Sequence, residues 1–193
     1  TAAIHRPGDN PFEGAFHGWV TPTADGEGAY PLVFDAVDFA ARQDATWPET
    51  RHVRLTAFAR EVAAYDTPES YFSARNGDDD IGLAAQAFLP IGLFAAAEEA
   101  AAQSATGETA EPAPRSSSAL LTGRVAEHSV LTNEASGRPF HWLLVETLEA
   151  VIDVVADPDV VKGDIVQGGT VEVSAVLFGR FLVSLPYLNY GGV

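Results

Sequence analysis

The residues of this chain best suited to chemistry are a few cations and aromatic rings in its C-terminal third. A guanidinium or an imidazole beside an indole can help to stack a nucleobase or a sugar ring. The candidate ligand-binding residues are Arg124, His128, Phe140, Trp142 and Arg180. The competing interpretation is that Arg124 and Arg180 form ion pairs across a sheet. Their available partners are Glu146, Glu172 and Asp153.

The histidines show no spacing that is typical of a metal site. The chain has 5 histidines, and no pair follows the H-x-x-x-H pattern. If the hairpin that contains His128 and His141 pairs around residue 135, these two side chains lie on opposite faces of the sheet, and a bulge would change this arrangement. We therefore expect no metal site and no cofactor.

The sequence also lacks the common catalytic motifs. The chain has no cysteine, which excludes thiol catalysis and disulfides. The run Asp78-Asp79-Asp80 lacks the spacing and the closing glutamate of a calcium loop, and residues 116–118 lack the G-x-S-x-G turn of a serine hydrolase. We predict no catalytic residues. An enzyme whose site is assembled from distant loops stays open as an alternative.

The charge of the chain restricts its partners. It has 27 acidic and 11 basic residues, for a net charge of −16 at pH 7. Such a charge repels phosphate backbones and anionic lipids at long range, so nucleic acid is a disfavoured partner. A protein partner, self-association, a basic ligand or a cation fits better. No apolar run approaches the ~18 residues of a membrane span, so we expect no membrane contact.

The start of the chain gives a further expectation about location. The small residue Thr1 fits the removal of an initiator methionine, and no charged segment followed by an apolar stretch stands at the start. We therefore expect a cytoplasmic protein. A cleaved signal peptide would leave the same trace.

The strongest periodicity lies between residues 119 and 184. Alternation and turn residues predict strands over 119–131, 140–148, 150–156 and 170–183. In the third of these strands Ile152, Val154 and Ala156 alternate with aspartates. The apolar set is predicted to face the core, and Asp153 and Asp157 are predicted to face solvent.

The second of these strands decides where its aromatic residues point. Glu146 is costly to bury unpaired, so its side of the strand is predicted to face outward and Leu143 and Val145 inward. That choice places Phe140 and Trp142 on an outer surface. An outward aromatic pair is either a binding platform or a docking site for the rest of the chain.

The N-terminal half is less regular. Short strands are predicted over 15–20 and 30–39. Residues 51–65 fit a strand that bends near Glu61, although helical spacing is also present. A capping threonine followed by Pro68 predicts a short helix that ends near Arg75.

A series of short motifs in the C-terminal part and two segments upstream occur together in one order. The C-terminal motifs are Thr122-Gly123-Arg124-Val125, Thr132-Asn133, Ser136-Gly137, Val145-Glu146-Thr147, Asp153-Val154-Val155-Ala156-Asp157-Pro158, Gly168-Gly169 and Gly179-Arg180. The upstream segments are 55–61 and 88–94. The chain resembles a family of uncharacterised bacterial proteins with a C-terminal OB-type β-barrel-like domain. The resemblance implies a fold and no activity, and it supplies no functional residues.

These observations give one prediction of fold and function. The fold class is mainly β with a minor α component: an antiparallel OB-like barrel or meander, with a β-rich N-terminal extension packed on it. The predicted divisions are 1–94 for the extension with one short helix, 95–118 for an Ala/Glu/Ser/Pro-rich linker, and 119–193 for the sheet domain. The predicted function is a non-catalytic binding or assembly module. The alternative is a binder of a small ligand, an oligosaccharide or single-stranded nucleic acid on the outer face around Trp142.

Overall fold

The structure is a computed structural model, and it describes residues 2–4, 14–20, 28–42, 46, 49–75, 83–94 and 116–182. The described residues are mainly in strands. The strands are β1 (Ala2–Ile4), β2 (Ala15–Trp19), β3 (Pro31–Ala36), β4 (Val53–Tyr65), β5 (Ala87–Leu89), β6 (Ser118–Thr132), β7 (Pro139–Thr147), β8 (Ala150–Ala156), β9 (Val161–Lys162) and β10 (Thr170–Phe181). Helix α1 is Pro68–Arg75, and 3-10 turns span Phe39–Arg42 and Pro158–Val160.

Five strands close into a barrel of the OB type. The ring runs β6, β7, β8, β4 and β10, and β10 pairs back with β6. Neighbouring strands cannot alternate in direction all the way round a ring with an odd number of strands, so one pair must be parallel. That pair is β4 with β8, and the other pairs of the ring are antiparallel. The prediction of a mainly β, OB-like fold is confirmed, and the parallel pair is an addition to the antiparallel sheet expected from sequence.

The interior of the barrel is filled by the side chains that the alternation predicted. Ile152, Val154, Leu143 and Val145 are fully buried, and Glu146 points outward. Strands β8 and β10 contribute every second residue to this core, as a half-buried strand must. The inward set of β10 is Val171, Val173, Ala175 and Leu177.

Residues 53–65 form a single long strand, which resolves the ambiguity of this segment. The register of β4 against β10 shifts between Ser174 and Ala175, which pair with Glu61 and Ala59. Arg60 is therefore the extra residue of a β-bulge, and a bulge bends the strand that carries it. The bulge lies next to Glu61, near which the sequence predicted a bend, and a bulge of this kind helps a strand to curve around a barrel.

The N-terminal strands extend the sheet beyond the barrel. Strand β3 pairs in parallel with the end of β10, where β6 no longer reaches, and β2 and β1 follow outside it. Four rings pack at this junction with centroid separations of 4.9–5.8 Å. They are Phe16, Phe34, Phe39 and Phe181. A Cβ on Gly179 would lie 2.2 Å from the ring of Phe34, so only glycine permits this approach.

Helix α1 forms where the capping signal predicted it. The Thr67 hydroxyl accepts the backbone N–H of Ser70 at 3.2 Å, and Pro68 occupies the first turn. Tyr71 is fully buried and meets the ring of Tyr65 edge-on. Arg75 pairs with Glu172 of β10, which ties the end of the helix to the barrel.

The five strands of the barrel do not all come from the predicted C-terminal sheet domain. Four of its strands lie within 116–182, and the fifth, β4, lies in the N-terminal half. β5, which the sequence did not indicate as a strand, also pairs with β6. Residues 95–115 of the predicted linker lie outside the described residues.

Candidate binding face

Outward side chains of four adjacent strands form one continuous surface, called here the outer face. Trp142 of β7 lies opposite Val155 of β8, and Val155 lies beside Phe58 of β4. Residues directly opposite in a sheet point to the same side, so these three share a face. The outer face consists of Phe140, Trp142 and Leu144 from β7, Val151, Asp153 and Val155 from β8, Arg54, Thr56 and Phe58 from β4, and Val176, Phe178 and Arg180 from β10.

A network centred on Asp153 connects three strands of this face. Arg54 Nε and Nη2 donate to Asp153 Oδ2 and Oδ1 at 2.8 and 3.2 Å. The indole Nε1 of Trp142 donates to Oδ1 at 2.9 Å. The hydrogen bonds from Arg54 and then from Trp142 stabilise the carboxylate and hold the pKa of Asp153 below its usual value, against the effect of burial. The carboxylate therefore stays ionised at neutral pH and fixes the plane of the indole.

The prediction that Asp153 faces solvent is wrong. Asp153 is only 7% exposed, whereas Asp157 is exposed as predicted. Asp153 nevertheless lies on the outer side of β8, because its neighbours Ile152 and Val154 fill the barrel. It is covered by Arg54 and Trp142, whose positions depend on a strand pairing that the sequence did not reveal.

Phe58 is the most exposed aromatic ring of the outer face. Its side chain is 49% exposed, and it meets Phe178 edge-on with a centroid separation of 5.2 Å. A shallow pocket of about 420 Å3 opens between Phe58, Phe140 and the loop that joins β6 to β7. Arg138 and Asp157 also line this pocket. The pocket thus offers two rings and charged groups of both signs to a ligand.

The loop beside this pocket is held by its own hydrogen bonds. Asn133 Oδ1 accepts the backbone N–H groups of Ala135 and Ser136, both at 3.0 Å. Gly137 has a φ of +70°, which the turn requires and glycine adopts without strain. These contacts therefore shape the loop whose Asn133, Ser136 and Arg138 line the pocket.

Two arginines of the outer face lie directly opposite each other. Arg180 of β10 pairs in register with Arg54 of β4. Like charges in this position are destabilising. Asp153 offsets the charge of Arg54, but Arg180 is exposed and has no ion-pair partner in the described parts of the chain. Arg180 is therefore available to a ligand.

The five residues of the predicted site do not all lie together in the structure. Phe140 and Trp142 are half-buried on the outer face. Arg124 donates from Nε to Glu146 Oε2 at 3.0 Å, so for this residue the cross-strand ion pair is the arrangement present. Arg180 is on β10, and β8 and β4 lie between it and Trp142 across the outer face. The sequence did not indicate Phe58 or Arg54 as site residues, and it indicated Asp153 only as a possible partner of Arg124 or Arg180.

His128 and His141 lie on the same face, and not on the opposite faces that regular pairing around residue 135 predicts. Arg124 and Val125 pair with Glu146 and Val145 as expected, but the register shifts between Val125 and Glu127. This bulge at Ala126 moves His128 to the same face as His141, because a one-residue slip reverses the side of every following residue. The rings stack, with His128 Nε2 2.9 Å from His141 Nδ1.

Desolvation, and then the neighbouring His141, lower the pKa of His128. Together the two histidines make a compact pair on the side of the hairpin away from Trp142. His128 therefore does not join the grouping predicted around the indole.

No group of three or more His, Asp or Glu side chains arranged for a metal ion is found among the residues that the structure describes. Within the same residues no helix is long and apolar enough to cross a bilayer. The fold and face define a protein of the OB-like barrel class. Comparison with family models, with curated proteins and with solved structures finds no match to this chain.

Proposed function

We propose that the protein is a non-catalytic binding or assembly module that contacts a protein partner through the outer face. The observation that carries the proposal is Phe58, a phenyl ring 49% exposed at the middle of a folded sheet. Around it Trp142, Phe140 and Val155 are only half-buried. Aromatic rings grouped in this way are characteristic of the centre of a contact surface.

The charges of the outer face suggest the kind of partner. The chain as a whole carries −16, yet Arg180 and Arg138 lie on this face or at its rim. An apolar segment flanked by carboxylates would place its side chains against the rings and its charges against these arginines. Complementary charges of this kind increase the association rate and select the orientation of the partner.

The test compares two phenylalanines of similar exposure. Phe58 is 49% exposed on the outer face, and Phe72 is 44% exposed on α1. A photoreactive phenylalanine analogue at position 58, in cells that produce the protein, should capture a defined partner or a second copy. The same analogue at position 72 should not. Phe58→Glu should then weaken the isolated complex about tenfold or more, while Phe72→Glu leaves it intact.

Two results would count against the proposal. One is equal capture from both positions. The other is an absence of capture from position 58 together with a monomer at every concentration in sedimentation. Thermal unfolding of both glutamate variants shows whether each still folds.

A second candidate is a binder of single-stranded nucleic acid or of an oligosaccharide on the same face. It is favoured by the presence of Trp142, Phe58 and arginines on the outer surface of an OB-type barrel, because such rings stack bases and sugars. The net charge of −16 opposes nucleic acid at long range. Titration of oligonucleotides and oligosaccharides against Trp142 fluorescence tests this candidate, and nucleic-acid binding should weaken steeply with salt. An unchanged emission excludes it.

Two further proposals are supported by the sequence alone. One is membership of the bacterial family that the ordered motifs suggest, and the other is a cytoplasmic location. An enzyme with a site assembled from distant loops stays an alternative hypothesis. A cleft with two converging ionisable groups would favour it.

A further inference from the structure

A second pocket lies where the β2–β3 hairpin meets the turn between β7 and β8. Its volume is about 300 Å3. The residues that give it chemistry are Trp19, Arg51, His52, Leu55, Glu149 and Val151. It therefore combines an indole, apolar walls and ionisable groups of both signs in a space that suits a small organic group.

The charges around this pocket leave one carboxylate in excess. Arg51 Nη2 lies 2.5 Å from Glu49 Oε1, so the charge of Arg51 is offset. Glu149 has no ion-pair partner among the described residues. Arg51, Glu49 and Glu149 together therefore carry about one negative charge, and the −16 of the chain adds a long-range attraction for cations.

An exposed indole shares the pocket with this carboxylate. Trp19 is 41% exposed, although Phe16 of the same strand is fully buried. An indole face attracts an organic cation, and tryptophan does so more strongly than the other aromatic residues. A carboxylate and an indole that line the same pocket can therefore bind the same cation.

The backbone holds Glu149 in a conformation that favours glycine. Thr147 pairs with Ala150, so Leu148 and Glu149 form a two-residue turn, and Glu149 has a φ of +54°. This left-handed conformation costs a residue with a Cβ, and glycine or asparagine is common there. A glutamate in this unfavourable conformation beside a pocket suggests that its side chain has a role in binding there.

The position of the carboxylate is also seen in its effect on a neighbour. Burial, and then the charge of Glu149, raise the pKa of Tyr30 to about 12. Tyr30 directly precedes β3, whose first residue Pro31 pairs with Trp19, and its ring stacks on Phe88 with a centroid separation of 4.7 Å. The charge of Glu149 therefore acts on the hairpin that carries Trp19.

We propose that this pocket binds an alkylguanidinium group, with its plane on the indole of Trp19 and its N–H donors on the carboxylate of Glu149. A guanidinium fits better than an ammonium because it is planar, stacks on aromatic faces and donates to a carboxylate through two N–H groups at once. The group can belong to a free small molecule or to an arginine side chain. The proposal does not depend on the function assigned to the outer face.

The test uses agmatine and a short peptide with one arginine, each titrated by calorimetry into the full chain. Saturable binding of agmatine would show that the guanidinium group is sufficient. If the arginine peptide binds and agmatine does not, contacts with the peptide are also needed. Both outcomes support the proposal. Cadaverine should bind more weakly than agmatine, and a peptide with citrulline in place of arginine should not bind.

Three variants locate the site. Glu149→Gln should weaken agmatine or peptide binding about tenfold, and Trp19→Leu should weaken it by a similar factor. Glu127→Gln is the matched control on β6 and should leave binding unchanged. Glu149→Gly removes the carboxylate and relieves the turn, so it should fold at least as well as the natural chain and still lose binding.

The proposal is wrong if neither guanidinium probe saturates in the millimolar range. It is also wrong if the citrulline peptide binds as well as the arginine peptide, or if Glu149→Gln and Glu149→Gly bind with unchanged affinity. Fluorescence gives an independent readout when Trp47 and Trp142 are replaced by phenylalanine, because Trp19 is then the only indole. Its emission should shift on binding.

Discussion

Asn in place of Asp153 tests the network that organises the outer face. The carboxylate accepts three hydrogen bonds, two from Arg54 and one from Trp142. The Arg54 side chain is 66% exposed, so in the variant water can replace part of its interaction with the carboxylate. The ion pair therefore contributes at most about 1 kcal/mol to stability. Trp142 is half-buried, and the hydrogen bond that its indole N–H donates to a charged acceptor is stronger than one to a neutral amide. We expect Asp153→Asn to lower the free energy of unfolding by about 1–2 kcal/mol at pH 7.

The same substitution should change how stability depends on pH. The folded-state pKa of Asp153 is lowered, chiefly by the hydrogen bonds from Arg54. The stabilisation by this group is therefore fully present above the unfolded pKa of about 3.9 and is lost as the pH falls through the lower folded value. The difference in unfolding free energy between the natural chain and Asp153→Asn should be constant near neutral pH and should shrink in acid.

Urea unfolding followed by tryptophan emission measures both effects. Asp157→Asn is the matched control, because Asp157 is exposed directly after the same strand and asparagine can still accept the N–H of Asp159. We expect the control to change stability by less than about 0.5 kcal/mol. Equal stability of Asp153→Asn and the natural chain at pH 7, or a difference that persists undiminished in acid, would refute this account of the network.

Three further outcomes follow from other contacts. Gly179→Ala places a Cβ 2.2 Å from the ring of Phe34 and should lower the free energy of unfolding by about 1–3 kcal/mol in urea titrations. The folded-state pKa of His128 is lowered by desolvation and then by His141, so the unfolded chain binds more protons and stability falls as the pH drops below about 6.5. His128→Gln should flatten this part of the profile, and an unchanged slope between neutral and mildly acid pH would contradict it. Glu149→Gly should raise the unfolding free energy by about 1 kcal/mol because it relieves a φ of +54°, and a lower melting temperature would show that the turn is not strained.

The strands and the faces of the barrel could be read from local patterns. The alternation of Ile152 and Val154 with aspartates predicted the inner side of β8, and the cost of burying Glu146 predicted the inner side of β7. Both predictions are confirmed, because each depends only on which side of one strand is apolar. The cap at Thr67 likewise predicted α1 from a few adjacent residues.

The candidate site could not be predicted in the same way, because it depends on register and on distant pairings. A bulge at Ala126 places His128 beside His141, and nothing in a small apolar residue indicates that it is an insertion. Arg54 and Asp153 are 99 residues apart in the chain. Their contact follows from the parallel pairing of β4 with β8, for which no local pattern exists. The sequence therefore identified the aromatic residues of β7 and missed the residues that position them.

The closure of the barrel also explains why the outer face includes residues from both halves of the chain. β8 and β10 do not pair with each other, and each needs a partner for its free backbone groups on the side away from β7 and β6. Strand β4 fills this gap, and its inward residues Ala57 and Val62 are fully buried. The strand that completes the barrel is therefore also the one that places Phe58 and Arg54 between Trp142 and Arg180. Any ligand that covers this face contacts side chains from both halves at once, so its binding must depend on the closed barrel.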